Sequence, residues 1–213
     1  QYYPNSSLLL REQATKSQLR AAIQAGVGLL QLSTHTEINN DYPTESIIYL
    51  TPDSLASDQL FLKEVFELLE GHQLQFVILE SCDSGAGLVP SGQGIAGFAY
   101  ELSLVGVPSL VYSLWPLPEG PSNAIIMRMH LYLLEGYSKP AALRQAKLDF
   151  LAETEAHRTT PFLWAGMVFT GQTGPLYAGR TVGTGTGWNW LWALLPIVVF
   201  LLLLIRNRGK KAA

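Results

Sequence analysis

The sequence predicts an α/β domain on a mostly parallel sheet covered by helices on both sides, followed by one C-terminal transmembrane helix. Three observations predict it. Apolar runs at Leu29–Leu32, Phe76–Leu79 and Ser109–Trp115 alternate with segments of helical periodicity. Those runs read as apolar on both faces, as strands buried between two helical layers do. Finally, the stretch from Trp188 to Ile205 carries no charged residue and is about 18 residues long, enough to span a bilayer.

The elements follow in order. Ser7–Leu10 is expected as a short strand. Thr15 caps a helix through Leu19, Ala22 and Ile23 that stops at Gly26. The strand ending at His35 comes next, then a strand at Ser46–Leu50. Thr51-Pro52-Asp53 turns the chain into a second helical region, with Leu60, Phe61, Val65, Leu68 and Leu69 at helical spacing and Gly71 at its end. The strand from Phe76 leads to Cys82 and a loop containing Gly85, Gly87, Gly92 and Gly94. A helix near Ile95–Leu104, a strand at Ser109–Trp115, helices at Ser122–Glu135 and Pro140–Ala152, and a last strand at Trp164–Thr170 complete the domain. From Gly171 the composition turns to Gly and Thr without periodicity, the pattern of a flexible tether. The expected organisation is a domain at 1–171, a tether at 172–187, a transmembrane helix at 188–206 and a basic tail at 207–213.

Charge and cysteine content exclude several function classes. The chain has 213 residues, 48% of them hydrophobic, with 14 basic and 17 acidic side chains. Four of the cations, Arg206, Arg208, Lys210 and Lys211, lie in the tail, so the folded part is acidic and lacks the clustered Lys and Arg that phosphate binding requires. Nucleic acid is therefore not an expected partner. One cysteine allows no internal disulfide and no cysteine pair for zinc. Neither a metal nor a cofactor is expected.

Two strands each end in a reactive side chain. Leu29-Leu30-Gln31-Leu32-Ser33-Thr34 delivers His35, and Phe76-Val77-Ile78-Leu79-Glu80-Ser81 delivers Cys82. Ligands of open α/β sheets bind outside the carboxyl ends of the strands. If these strands are parallel neighbours, an imidazole and a thiol meet there, the minimum set for a cysteine nucleophile. The glycines beyond Cys82 let the backbone approach a substrate closely, and the N–H groups at Cys82 are candidates for stabilising an oxyanion. His72 sits at the far end of its strand, His130 is expected on a helix face, and His157 lies in a polar loop, so His35 is the preferred base. Glu80 shares strand parity with Cys82 and suits a pocket for a cationic side chain.

These residues resemble a known family. His35 in Leu-Ser-Thr-His, Cys82 in Glu-Ser-Cys-Asp-Ser-Gly, Gly92-Gln93-Gly94-Ile95-Ala96-Gly97, Ser113-Leu114-Trp115 and Phe162-Leu163-Trp164-Ala165-Gly166 occur here in the order seen in CHAT domains. CHAT domains are caspase-like cysteine peptidase domains related to separases and often preceded by tetratricopeptide repeats. The distance from His35 to Cys82 also suits the caspase order, with His about 50 residues before Cys. The resemblance covers roughly Ser7–Gly171 and implies a caspase-like α/β/α sandwich, a His35–Cys82 dyad and a preceding half-domain or repeat region outside this chain. Thr36 stands where the family commonly has Gly, and its backbone N–H joins Cys82 as an oxyanion candidate. The segment Pro116-Leu117-Pro118-Glu119-Gly120 lacks the acidic pair that often follows the Leu-Trp motif. Glu80 is closer to metacaspases, where an acidic residue at this position reads a basic substrate side chain. Glu80 and Asp83 are the specificity candidates.

The expected function is a membrane-anchored cysteine endopeptidase acting on a protein or peptide and cleaving after basic residues. The alternative is a catalytically silent scaffold or sensor subunit of a membrane complex. Trp188, Trp190 and Trp192 read as an interfacial aromatic belt, and the cationic tail puts the C-terminus in the cytoplasm. The domain is then expected on the extracytoplasmic side of a bacterial-type inner membrane.

Overall fold

The computed structural model describes residues 3, 5–39, 41–53, 57–72, 74–80, 102–155 and 159–176, all within the first of two compact units, Gln1–Arg180. Helix α1 (Lys16–Gln24) begins where Thr15, in extended conformation, accepts the Gln18 N–H on its hydroxyl at 3.3 Å. That bond satisfies one of the donors a helix start leaves free. Past its end, Gly26 adopts φ +90°, a conformation that side-chain-bearing residues rarely take. Helix α2 (Leu62–Leu69) is entered through Glu64, whose carboxylate accepts the Phe61 N–H at 2.9 Å and the Lys16 ammonium of α1 at 2.9 Å. Helices α3 (Glu119–Leu134) and α4 (Lys139–Glu153) form a hairpin turned at Gly136, φ +90°.

Among the described residues the main sheet has four strands in the order β1 (Leu29–Ser33), β5 (Phe76–Glu80), β6 (Ser109–Ser113) and β7 (Met167–Gly171). β1, β5 and β6 are parallel, and β7 runs antiparallel to β6. This bears out the mixed α/β reading with a mostly parallel sheet. A second sheet of three short antiparallel strands, β2 (Thr36–Glu37), β3 (Ile47–Tyr49) and β4 (Gln59–Phe61), follows directly from β1.

The main sheet separates two cores. Val77, Leu79 and Leu110, with Leu30, Leu32 and Tyr112 at its edge, face the buried side of α1 and α2 (Leu19, Ile23, Val65, Leu68). Phe76, Ile78, Val111 and Met167 face α3 and α4 through Ile125, Met129, Leu133, Ala146 and Phe150. Each fully buried large side chain contributes about 1.5–3 kcal/mol, and all five residues of β5 are buried.

Four expectations are corrected. Ser7–Leu10 is irregular, because it pairs with no strand among the described residues, and Leu8 and Leu10 stay exposed. Leu60 and Phe61 belong to β4, not to the helix: Leu60 pairs with Ile48 and both are buried, so tertiary pairing overrides the helical spacing. Helix α3 starts three residues early, at Glu119, because Pro121 fits a first turn whose N–H groups have no intrahelical acceptor. β1 is not apolar on both faces: Gln31 and Ser33 are exposed.

Candidate active site at the carboxyl edge of the sheet

Strands β1 and β5 pair in parallel register from Leu29 opposite Phe76 to Ser33 opposite Glu80. His35 and Cys82 each lie two residues beyond this last registered pair. The condition set by the sequence, parallel neighbouring strands with their carboxyl ends level, is met. Cys82 and Asp83 themselves lie outside the described residues, as do Ser81 and the glycine-rich loop.

His35 is exposed at the point where the chain leaves one sheet for the other. Its carbonyl accepts the Tyr49 N–H at 2.9 Å, and the neighbouring Thr34 hydroxyl donates to the Tyr49 carbonyl. Tyr49 of β3 thus holds the chain here through the His35 carbonyl and the Thr34 hydroxyl, while His35 as a residue stays exposed. Thr36 follows at once, pairs with Ile48, and is buried with a hydroxyl that has no partner among the described residues.

Glu80 ends β5 on the α3 side and is 8% exposed. Three groups converge on its carboxylate. Ser122 of α3 donates to Oε1 at 2.7 Å, Ser33 of β1 donates to Oε2 at 2.7 Å, and the Gln31 amide approaches Oε2 at 3.4 Å. No cation pairs with it among the described residues. A buried carboxylate held by neutral donors is costly to strand, and a cation of good geometry would complete its surroundings.

The polar chain extends past Glu80. Gln31 Nε2 also donates to Ser33 Oγ at 3.1 Å, while its Oε1 lies 2.7 Å from His130 Nε2. The Tyr3 hydroxyl lies 2.8 Å from His130 Nδ1, with its ring edge-on to the imidazole. His130 is buried, and burial pushes its pKa down to about 4. His130 does lie on a face of α3, as expected, and that face is turned into a polar network. Sequence reasoning passed over Gln31, Ser33, Ser122 and Tyr3. The available signal was a pair of polar residues, two apart, on one face of an otherwise apolar strand.

Two of the sequence motifs lock together on the neighbouring strand. The Trp115 indole, just beyond β6, stacks on Phe162 at 6.3 Å and donates to the Phe162 carbonyl at 2.9 Å. Leu114 N–H donates to the Gly166 carbonyl at 2.8 Å, and a Cβ on Gly166 would come within 2.6 Å of the Trp115 ring.

Among the described residues no cluster of three His, Cys, Asp or Glu could hold a metal, and no helix is long and apolar enough to cross a membrane. The expected span from Trp188 and its basic tail lie outside the described residues. No curated protein matches the chain. The family model of the CHAT domain matches residues 1–172, most of the chain and every element described above. The chain belongs to the CHAT domain family, which points to the caspase-like peptidases.

Proposed function

We propose that this chain is a caspase-like cysteine endopeptidase in which His35 assists the Cys82 thiolate. The observation that supports it is the parallel register of β1 and β5, which brings the carboxyl ends carrying these two residues level. A free thiol has a pKa of about 8.5, and a neighbouring imidazolium lowers it. The thiolate adds to the scissile carbonyl, the amine leaves with a proton from the imidazole, and water hydrolyses the thioester. Backbone N–H groups at Cys82 and Thr36 are the oxyanion candidates. Glu80, with Asp83 nearby in sequence, selects a cationic side chain before the cut, since its carboxylate is buried without a counter-cation among the described residues. Protein or peptide is the substrate. A preceding half-domain or repeat region and the membrane, reached through Trp188–Ile205, are the partners, with the domain outside a bacterial inner membrane.

The test is labelling of the full chain by peptide electrophiles ending in Arg, Lys, Asp or norleucine, followed by mass spectrometry. The Arg and Lys reagents should modify Cys82, Cys82→Ala should abolish labelling, and His35→Ala should slow it by at least about 100-fold. Equal labelling of the His35→Ala chain would rule out the dyad, and a preference for Asp would rule out the role of Glu80. Digestion of intact spheroplasts reads the topology: a domain protected until the membrane is broken lies inside.

A further inference from the structure

Glu80 is served by a hydrogen-bond chain in which one assignment of donors and acceptors satisfies every link. The neutral imidazole of His130 has one donor and one acceptor nitrogen. Tyr3 can give its hydroxyl proton to Nδ1, which leaves Nε2 as the donor toward Gln31 Oε1. With its carbonyl oxygen so occupied, Gln31 must turn its NH₂ toward Ser33 Oγ and Glu80 Oε2. Ser33, accepting from Gln31, has its own proton free for Glu80. The opposite amide orientation would set the Gln31 carbonyl against the Glu80 carboxylate.

The chain also crosses elements: an N-terminal residue, α3 and the exposed edge strand β1 all bear on one carboxylate of β5. Gln31 and Ser33 are exposed while Glu80 is buried, so the groups touching Oε2 belong to residues that reach solvent. Oε1 has Ser122 as its donor and retains capacity for a further N–H.

We propose that Gln31, oriented by His130, is a positioning residue that aims the Glu80 carboxylate at the cationic side chain of a peptide substrate. This rests on the reading of Glu80 given above. It makes specificity a property of β1 and α3 as well as of β5. Losing the Gln31 or His130 link loosens Glu80 without removing it.

The experiment compares matched peptides with Arg, Lys, citrulline or norleucine before the scissile bond. Cleavage by the full chain gives kcat and KM, and calorimetric binding to the Cys82→Ala chain reads affinity without turnover. Gln31→Leu and His130→Leu should each lower the Arg-to-citrulline ratio about tenfold, through KM and affinity, the scale of one hydrogen bond to a charged group. His130→Gln, which can again donate to Gln31, should recover part of it. Glu80→Gln should abolish the ratio. If the parent chain shows no cationic preference in either assay, or Glu80→Gln leaves it intact, the reading of Glu80 fails and the proposal with it. If Glu80→Gln removes the preference but Gln31→Leu keeps it, the positioning role alone is overturned. Should His130→Leu not fold, the exposed site at Gln31 decides the matter.

Discussion

The two faces of the main sheet differ along the strands. On the α1–α2 side, Leu30, Leu32, Val77, Leu79, Leu110 and Tyr112 stay apolar or aromatic to the carboxyl edge. On the α3–α4 side, Leu29, Phe76, Ile78 and Val111 give way to Gln31, Ser33, Glu80 and Ser113 at that same edge. Helix α3 matches the change: Ile125, Met129 and Leu133 pack on the apolar part, whereas Ser122 and His130 join the polar part. One layer serves only cohesion. The other serves cohesion at the base of the strands and carries at their ends a polar network that runs from buried Glu80, Ser122 and His130 to exposed Gln31 and Ser33. Buried polar groups of this kind need complete hydrogen bonding, which is why partners come from so many elements.

Several measurements would break or sharpen that contrast. Truncating the apolar base should be the most damaging: Phe76→Ala is expected to cost about 3–5 kcal/mol and Leu79→Ala on the opposite face about 2–5 kcal/mol in urea unfolding. Neither should change the Arg-to-citrulline ratio of whatever activity survives.

Acid should act on the polar face next. His130 has an ordinary pKa of 6.5, which holds in the unfolded chain, and burial lowers it to about 4 in the fold. The unfolded state therefore binds the extra proton first, and stability present above pH 6.5 is lost as pH falls toward 4, by at most about 3 kcal/mol. Unfolding midpoints at pH 7 and 4.5 should separate, and His130→Gln should reduce the gap.

Removing a single donor from the Glu80 cradle should matter less to stability and more to selectivity. Ser122→Ala is expected to cost about 1.5–3 kcal/mol, the range for a hydrogen bond to a charged group, while lowering the cationic preference. Thr15→Ala, at the start of α1 and away from the network, should cost about 1 kcal/mol and leave the preference alone. Melting curves and peptide profiling on the same preparations would show whether stability and selectivity separate as the two faces do.

The apolar layer was legible in the sequence, and much of the polar one was not. Continuous hydrophobic runs gave β5 and most of β6, a capping threonine and a stop glycine gave α1, helical spacing gave α2, the segments on either side of Gly136 gave α3 and α4, and the residues at the strand ends gave His35 and Glu80. What escaped has a common physical origin. β2 and β4 are two and three residues long, too short for periodicity to register, and exist because β3 lies between them. The roles of His130, Ser122 and Tyr3 depend on partners 99, 42 and 127 residues away. No local pattern encodes such distances. Gln31 was visible as a polar residue in a strand, but an exposed position on an edge strand is its ordinary setting.

The contact between Trp115 and Gly166 imposes an order on sequence change. An alanine at 166 would need its methyl carbon 2.6 Å from the indole, well inside any real carbon–carbon approach, and the indole is held by its stack and its bond to the Phe162 carbonyl. A side chain at 166 therefore needs Trp115 smaller or its indole displaced, whereas Trp115 can shrink first at the cost of a cavity. Lineages of this domain should lose the two residues in that sequence, and a reconstructed ancestor with a larger residue at 166 beside an intact Trp115 would have to have tilted its indole. The pair favours one order of change: shrinking Trp115 opens room at 166, while a side chain at 166 must displace the indole.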